Sequence, residues 1–175
     1  MEKKLKIKTK HLTYNIAISD GSAKKYLKKS VSSNSEIFLI IDKKISSQFS
    51  NVIKKRDNLH IVRINASEKI KSIDMYWKII NFLLDKKINR NSKIIAIGGG
   101  TIGDLCGFIA STILRGVQFT LIPSTLLSQV DSSIGGKNGI NSKYGKNLIG
   151  TFYQPNKVII DTSLLKTLPQ NQLKS

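Results

Sequence analysis

The stretch Ile94-Ile95-Ala96-Ile97-Gly98-Gly99-Gly100-Thr101-Ile102-Gly103-Asp104 constrains the fold of this chain more than any other. Its short, continuous, mostly β-branched apolar run reads as a strand buried on both faces of a parallel sheet. The glycines that follow let backbone N–H groups approach an anion closely. The apolar stretch from Ile102 to Leu114 then reads as a helix whose positive N-terminal end faces the same point. A pyrophosphate is the natural guest of such a junction. The glycine spacing departs from the dinucleotide fingerprint, so the junction alone serves equally well as a tight structural turn.

The rest of the chain supplies neighbours for that strand. Leu5 to Thr9 and Leu12 to Ile18 alternate apolar and polar residues and are expected to pair, with Ser19-Asp20-Gly21 as a turn. Ile37 to Ile41 is a second continuous strand ending at Asp42, which either accepts hydrogen bonds from a ribose hydroxyl or is simply solvated. His60 to Ile64 follows as another strand. Ile73, Trp77, Ile80, Leu83 and Leu84 recur at helical spacing from a Ser72 cap, predicting an amphipathic helix that closes near Lys87, with Trp77 and Phe82 in the core. Lys93 to Ile97, Val117 to Ile122 stopped by Pro123, and Val158 to Ile160 complete the strands. This β, α, β, α, β alternation argues for an α/β fold on a parallel sheet.

Composition narrows the partners. No apolar run approaches the roughly 18 residues of a membrane span, and the N-terminal Met1-Glu2-Lys3-Lys4-Leu5-Lys6 lacks the apolar core of a secretory signal. A cytoplasmic protein with no membrane partner is expected. Cys106 is the single cysteine, read as a buried structural thiol. The net charge of +18 raises the question of nucleic acid. Lysines are spread through every segment together with Ile, Asn and Ser, which reads as a compositional drift at solvated positions and not as a nucleic-acid surface.

A second constellation spans Arg115 to Pro155 and is dense in small, charged and amide residues. Arg115, Lys137 and Lys146 are three cations suited to a carboxylate and a phosphate, Asp131 can receive hydroxyl protons, and Asn147 can orient a hydroxyl. Each alone has a plain reading as a solvated side chain.

Taken together, Gly98 to Asp104, Leu114 to Gly116, Pro123 to Asn141 and Gly145 to Pro155 resemble the signature of the 3-dehydroquinate synthases, with weaker similarity around Glu68 to Lys71. The resemblance implies a Rossmann-like NAD-binding α/β domain over residues 1–168, with 169–175 a stub of the family's C-terminal helical metal-binding domain, otherwise absent here. It implies cyclisation of a phosphorylated keto-sugar acid, 3-deoxy-D-arabino-heptulosonate 7-phosphate, to 3-dehydroquinate and phosphate in the shikimate route to aromatic amino acids. By the same resemblance, Gly100, Thr101, Ile102, Gly103, Asp104, Ser124, Thr125, Glu68 and Lys71 match positions that contact NAD, with Asp42 a looser candidate. Lys146 matches a position tied to cofactor and substrate, and Leu164, Leu165, Lys166 and Thr167 resemble a final segment touching the nucleotide. Arg115, Asp131, Lys137 and Asn147 match positions that line the substrate, and Lys137 also belongs with the cofactor set.

The resemblance further implies a divalent metal, zinc or cobalt, whose ligands would lie beyond Ser175, and a homodimer at full length. No metal site is expected in this sequence; His11 and His60 are read as structural, and the chain alone is expected to be inactive. Departures from the family pattern include Ala66-Ser67 for Asp-Gly, Ile70 for an aromatic, Ser124 for a Thr, Asn138 after Lys137, and Ser142-Lys143 for His-Pro. Loss of the Asp-Gly turn is expected to loosen the loop that carries Glu68 and Lys71. Rival readings are another sugar phosphate cyclase, a metal-dependent polyol dehydrogenase, a non-catalytic NAD-binding remnant and a basic nucleic-acid binder. Gly135-Gly136-Lys137 with Gly145-Lys146-Asn147 favours the 3-dehydroquinate synthases.

Overall fold

The computed structural model describes residues 2–9 and 13–168, so His11, Leu12 and the segment 169–175 lie outside the described residues. A seven-stranded sheet runs in the order β1 (Lys3–Lys8), β2 (Thr13–Ile18), β9 (Lys157–Ile160), β6 (Gln118–Pro123), β5 (Lys93–Gly98), β3 (Ile37–Asp42), β4 (Leu59–Ile64). Only β1 is antiparallel to its neighbour; the other pairings are parallel. The expected strands are therefore present, in the α/β arrangement read from the sequence.

The uninterrupted apolar run of β3 is explained by cover on both faces. Phe38 and Ile40 point to the side packed by helices α2 (Ile73–Asp85) and α3 (Gly100–Thr112), together with Ile94, Ala96, Phe119 and Leu121. Ile37, Leu39 and Ile41 point to the side covered by α1 (Ser22–Val31), with Ile95, Ile97 and Ile122. Each of these Ile, Leu and Phe side chains contributes roughly 1.5–3 kcal/mol on burial. Ser72 caps α2 as expected, its hydroxyl accepting from the Met75 N–H at 3.3 Å.

The apolar face of α2 differs from the sequence reading. Ile79, Ile80 and Leu83 are buried, whereas Trp77 is 59% exposed and Ile73 and Leu84 are also exposed. At about 100° per residue, Ile73, Trp77 and Leu84 fall on one line of the helix, rotated away from the Ile79 and Leu83 line that meets the sheet. Phe82 is partly buried against the core.

Two elements were not foreseen. Helix α1 has a polar sequence, SAKKYLKKSV, and buries Ala23, Leu27 and Val31 at i, i+4, i+8. It begins at Gly21, which has no capping side chain; Asp161, just past β9, does that work by accepting from the Gly21 and Ala23 N–H groups at 2.9 Å each. The second is the antiparallel hairpin of β7 (Lys137–Ser142) and β8 (Gly145–Phe152), laid against α3 and irregular in register between Ile140 and Ser142. Among the described residues no helix is long and apolar enough to cross a membrane.

Candidate active site

The register Ile41↔Ile97↔Ile122 brings the carboxyl ends of β3, β5 and β6 level. β3 leads outward to β4, while β5 joins the other side of β3 and leads the opposite way to β6. The winding therefore reverses between β3 and β5, where doubly wound sheets bind ligands. A cleft of about 450 Å³ opens there, lined by Asp42, Gly99, Gly100, Thr101, Ser124 and Thr125, among others. The first turn of α3 that faces it has neither a side-chain cap nor an acidic residue; the Ile102 and Gly103 N–H groups are taken by the Gly99 carbonyl, which leaves the Gly100 and Thr101 N–H groups and the dipole for an anion. Gly100 packs closely, since a Cβ there would lie 3.0 Å from Ser132 Oγ and the hydroxyl would have to give way. Also in the cleft wall, the Asp42 carboxylate accepts from the Lys44 N–H at 3.0 Å.

Across that same turn lies a second cavity of about 650 Å³, whose walls include Asp104, Asp131, Ser132, Lys137, Asn138 and Asn147. Asn147 has a left-handed backbone (φ 57°), a conformation Asn tolerates better than most residues. Behind it, Lys71 is only 4% exposed and donates from Nζ to Asp104 Oδ2 at 2.6 Å and to Asn147 Oδ1. Burial pushes the Asp104 carboxyl above the usual carboxylate range; the Lys71 ammonium opposes that shift and the Glu68 carboxylate adds to it. Among the described residues, Lys71 thus supplies the one buried positive charge that offsets Asp104.

Of the residues picked from the sequence, Asp42, Gly100, Thr101, Ser124 and Thr125 share the first cavity, and Asp104, Asp131, Lys137 and Asn147 share the second. Ile102 and Gly103 are buried in the core and offer only backbone. Arg115 and Lys146 are exposed and line neither cavity; Arg115 sits beyond the C-terminal end of α3. Leu164 is buried against the sheet and Lys166 points to Asp20 at 3.6 Å. Leu165 is half-buried, and Thr167 ends a short 3₁₀ turn. The turn carrying Glu68 and Lys71 is not loose. Asn141 fixes it, donating from its N–H to the Lys71 carbonyl at 2.8 Å and from Nδ2 to Glu68 Oε1 at 2.8 Å. Sequence reasoning passed over Asn141, although it closes one of the matching blocks.

His60 stacks on Phe38 at 4.8 Å between ring centroids, and its Nε2 lies 2.8 Å from Glu36 Oε2, a structural placement. Cys106 is fully buried, and burial pushes its thiol up. Among the described residues no group of three or more His, Cys, Asp or Glu side chains is placed to hold a metal ion.

Fold and site define a Rossmann-like α/β domain whose glycine turn separates two cavities. Residues 61–175 match the family described as 3-dehydroquinate synthase N-terminal. The chain belongs to the 3-dehydroquinate synthase family. It is 47% identical over 176 residues to the 3-dehydroquinate synthase of Pelagibacter ubique (strain HTCC1062), covering 97% of this chain and 48% of that protein. It is 48% identical over 141 residues to that of Staphylococcus aureus (strain MRSA252), covering 79% and 40%. The chain spans about half the length of the curated relatives it matches. A 2-deoxy-scyllo-inosose synthase solved with carbaglucose-6-phosphate, NAD+ and Co2+ superposes with a TM-score of 0.83 at 26% identity, over 98% of this chain and 48% of that one. A 2-epi-5-epi-valiolone synthase from Streptomyces hygroscopicus subsp. jinggangensis, with NAD+ and Zn2+ bound, shares the fold at 23% identity and a TM-score of 0.80, over 96% and 48%.

Proposed function

We propose that this chain binds NAD and the phosphorylated keto-sugar acid 3-deoxy-D-arabino-heptulosonate 7-phosphate as part of a 3-dehydroquinate synthase, a phosphate-eliminating carbon–oxygen lyase. The observation that carries this reading is the pair of cavities at the start of α3, one lined by Gly99, Gly100 and Thr101 and the other by Asp104. The cofactor's pyrophosphate rests on the uncapped turn at Gly99 to Thr101, beside the Ser124 and Thr125 hydroxyls, and Asp42 accepts from a ribose hydroxyl. In the adjoining cavity Lys137 meets the substrate's phosphate or carboxylate, Asn147 orients a hydroxyl, and Asp131 receives a hydroxyl proton. Lys71 holds Asp104 and Asn147 in place between the two. When bound, NAD supplies reversible oxidation next to the leaving phosphate, which acidifies the adjacent C–H. The described residues do not fit a metal ion, and no metal enters this reading.

Titration calorimetry of the 175-residue chain with NAD tests it. Binding is expected, and it is expected to disappear in Gly100→Val while circular dichroism stays native. A folded wild-type chain that ignores millimolar NAD would overturn the reading. In the whole protein, release of phosphate without accumulation of NADH is the expected result; accumulating NADH would favour a polyol dehydrogenase instead.

A further inference from the structure

We propose that Asn141 is a positioning residue that couples the Glu68–Lys71 turn to the substrate cavity, an inference that rests on the function proposed above. Its hydrogen-bonding groups reach both sides. The N–H donates to the Lys71 carbonyl at 2.8 Å and Nδ2 donates to Glu68 Oε1 at 2.8 Å, while Oδ1 accepts from the Asn147 N–H at 2.9 Å. Lys71 then closes the ring, since its ammonium holds the Asn147 side-chain carbonyl and Asp104. Asn141 itself lines neither cavity.

The backbone explains how one side chain serves both turns. β7 and β8 pair residue for residue from Lys137↔Phe152 to Ile140↔Ile149, and the register then slips between Ile140 and Ser142. The slip frees Asn141 from the ladder and turns its groups outward, to the Glu68 turn on one side and to Asn147 on the other. Irregularities of this kind recur beside active sites because they re-aim a side chain. Asn147 has a left-handed backbone (φ 57°), and its N–H finds a partner across the β7–β8 turn. Asn141 Oδ1 is that partner.

Three variants decide the matter, with two readouts. Hydrogen exchange by NMR on the NAD-free chain reads the Asn147 amide directly: Asn141→Ala is expected to speed its exchange about tenfold or more, the loss of one hydrogen bond. Calorimetry with NAD gives the second. Asn141→Asp places a carboxylate against Glu68 and is expected to weaken NAD binding about tenfold. Adding Glu68→Gln to it restores the hydrogen bond with donor and acceptor exchanged, so the double variant is expected to bind more tightly than Asn141→Asp alone. Unchanged exchange at Asn147 in Asn141→Ala, or a double variant no better than Asn141→Asp, overturns the proposal. If the wild-type chain does not bind NAD the proposed function fails, and the exchange measurement still decides whether Asn141 positions Asn147.

Discussion

Replacing Lys71 by Met removes one charge from a pair that is otherwise out of water, and the consequence should depend on pH. The ammonium is 4% exposed and lies 2.6 Å from Asp104 Oδ2, whose side chain keeps 25% of its surface in solvent. Removing one partner of a fully buried pair typically costs about 3–5 kcal/mol; with Asp104 partly hydrated, about 2–3 kcal/mol near pH 7 is expected. Burial already raises the Asp104 carboxyl, and without Lys71 nothing comparable opposes that shift. Its folded pKa therefore lies above the unfolded value of about 3.9. Between those two values the native state keeps a proton the unfolded chain has lost, so this group's contribution to stability falls as pH rises. The fall is steeper in the variant. Near pH 5, closer to that raised value, the deficit should be smaller than near pH 7, and once Asp104 is neutral only about 1 kcal/mol should remain, from the lost bond to Asn147. Urea denaturation of wild type and variant at both pH values measures this, and equal deficits at the two would refute the electrostatic account.

Asp161 is 1% exposed and accepts from the N–H groups of Gly21, Ala23 and Ser163 and from the Ser163 hydroxyl. Asp161→Ala should cost about 3–5 kcal/mol in urea denaturation, and Asp161→Asn, which keeps one acceptor, about 1–2 kcal/mol. A Cβ at Gly107 would overlap Asn138 Oδ1, so Gly107→Ala should cost about 1–3 kcal/mol by thermal denaturation. Combined with Asn138→Ala, the total should be less than the sum of the two single costs, because the clash is gone.

The sheet was legible because β3 and β5 are buried on both faces, and only continuous apolar runs satisfy that environment. The Ser72 cap was legible for a local reason: donor and acceptor are three residues apart. Helix α1 was not, since four lysines dilute its apolar spacing and its cap is supplied from Asp161, some 140 residues away along the chain. The β7–β8 hairpin was hidden by its glycines, which depress strand propensity and yet permit the approach of Gly139 to the Ile149 carbonyl at a distance no Cβ allows. At the site, the glycine turn announced itself, and Asp131, Lys137 and Asn147 stood out in a dense polar stretch where each alone could be a solvated side chain, until the family pattern joined them. Trp77 shows the limit of periodicity, which identifies an apolar line on a helix without saying whether anything covers it.

The turn at Glu68 shows why a departure from a family pattern does not translate directly into a loosened site. Ala66-Ser67 lacks the turn-forming chemistry of Asp-Gly, and judged locally the loop should wander. Yet Ser67 takes an extended backbone (φ −162°) open to any residue, and Ile70 in the same turn is buried in the main core. The turn is then held from outside, by Asn141 on its carbonyl and carboxylate and by the lysine it buries against Asp104. Asp104 belongs to the first turns of α3, whose N-terminal N–H groups face the other cavity. The tie that steadies the loop is thus the same tie that sets one cavity's wall against the other's floor. A substitution in the loop is buffered while that tie stands, and a substitution in the tie is felt on both sides at once.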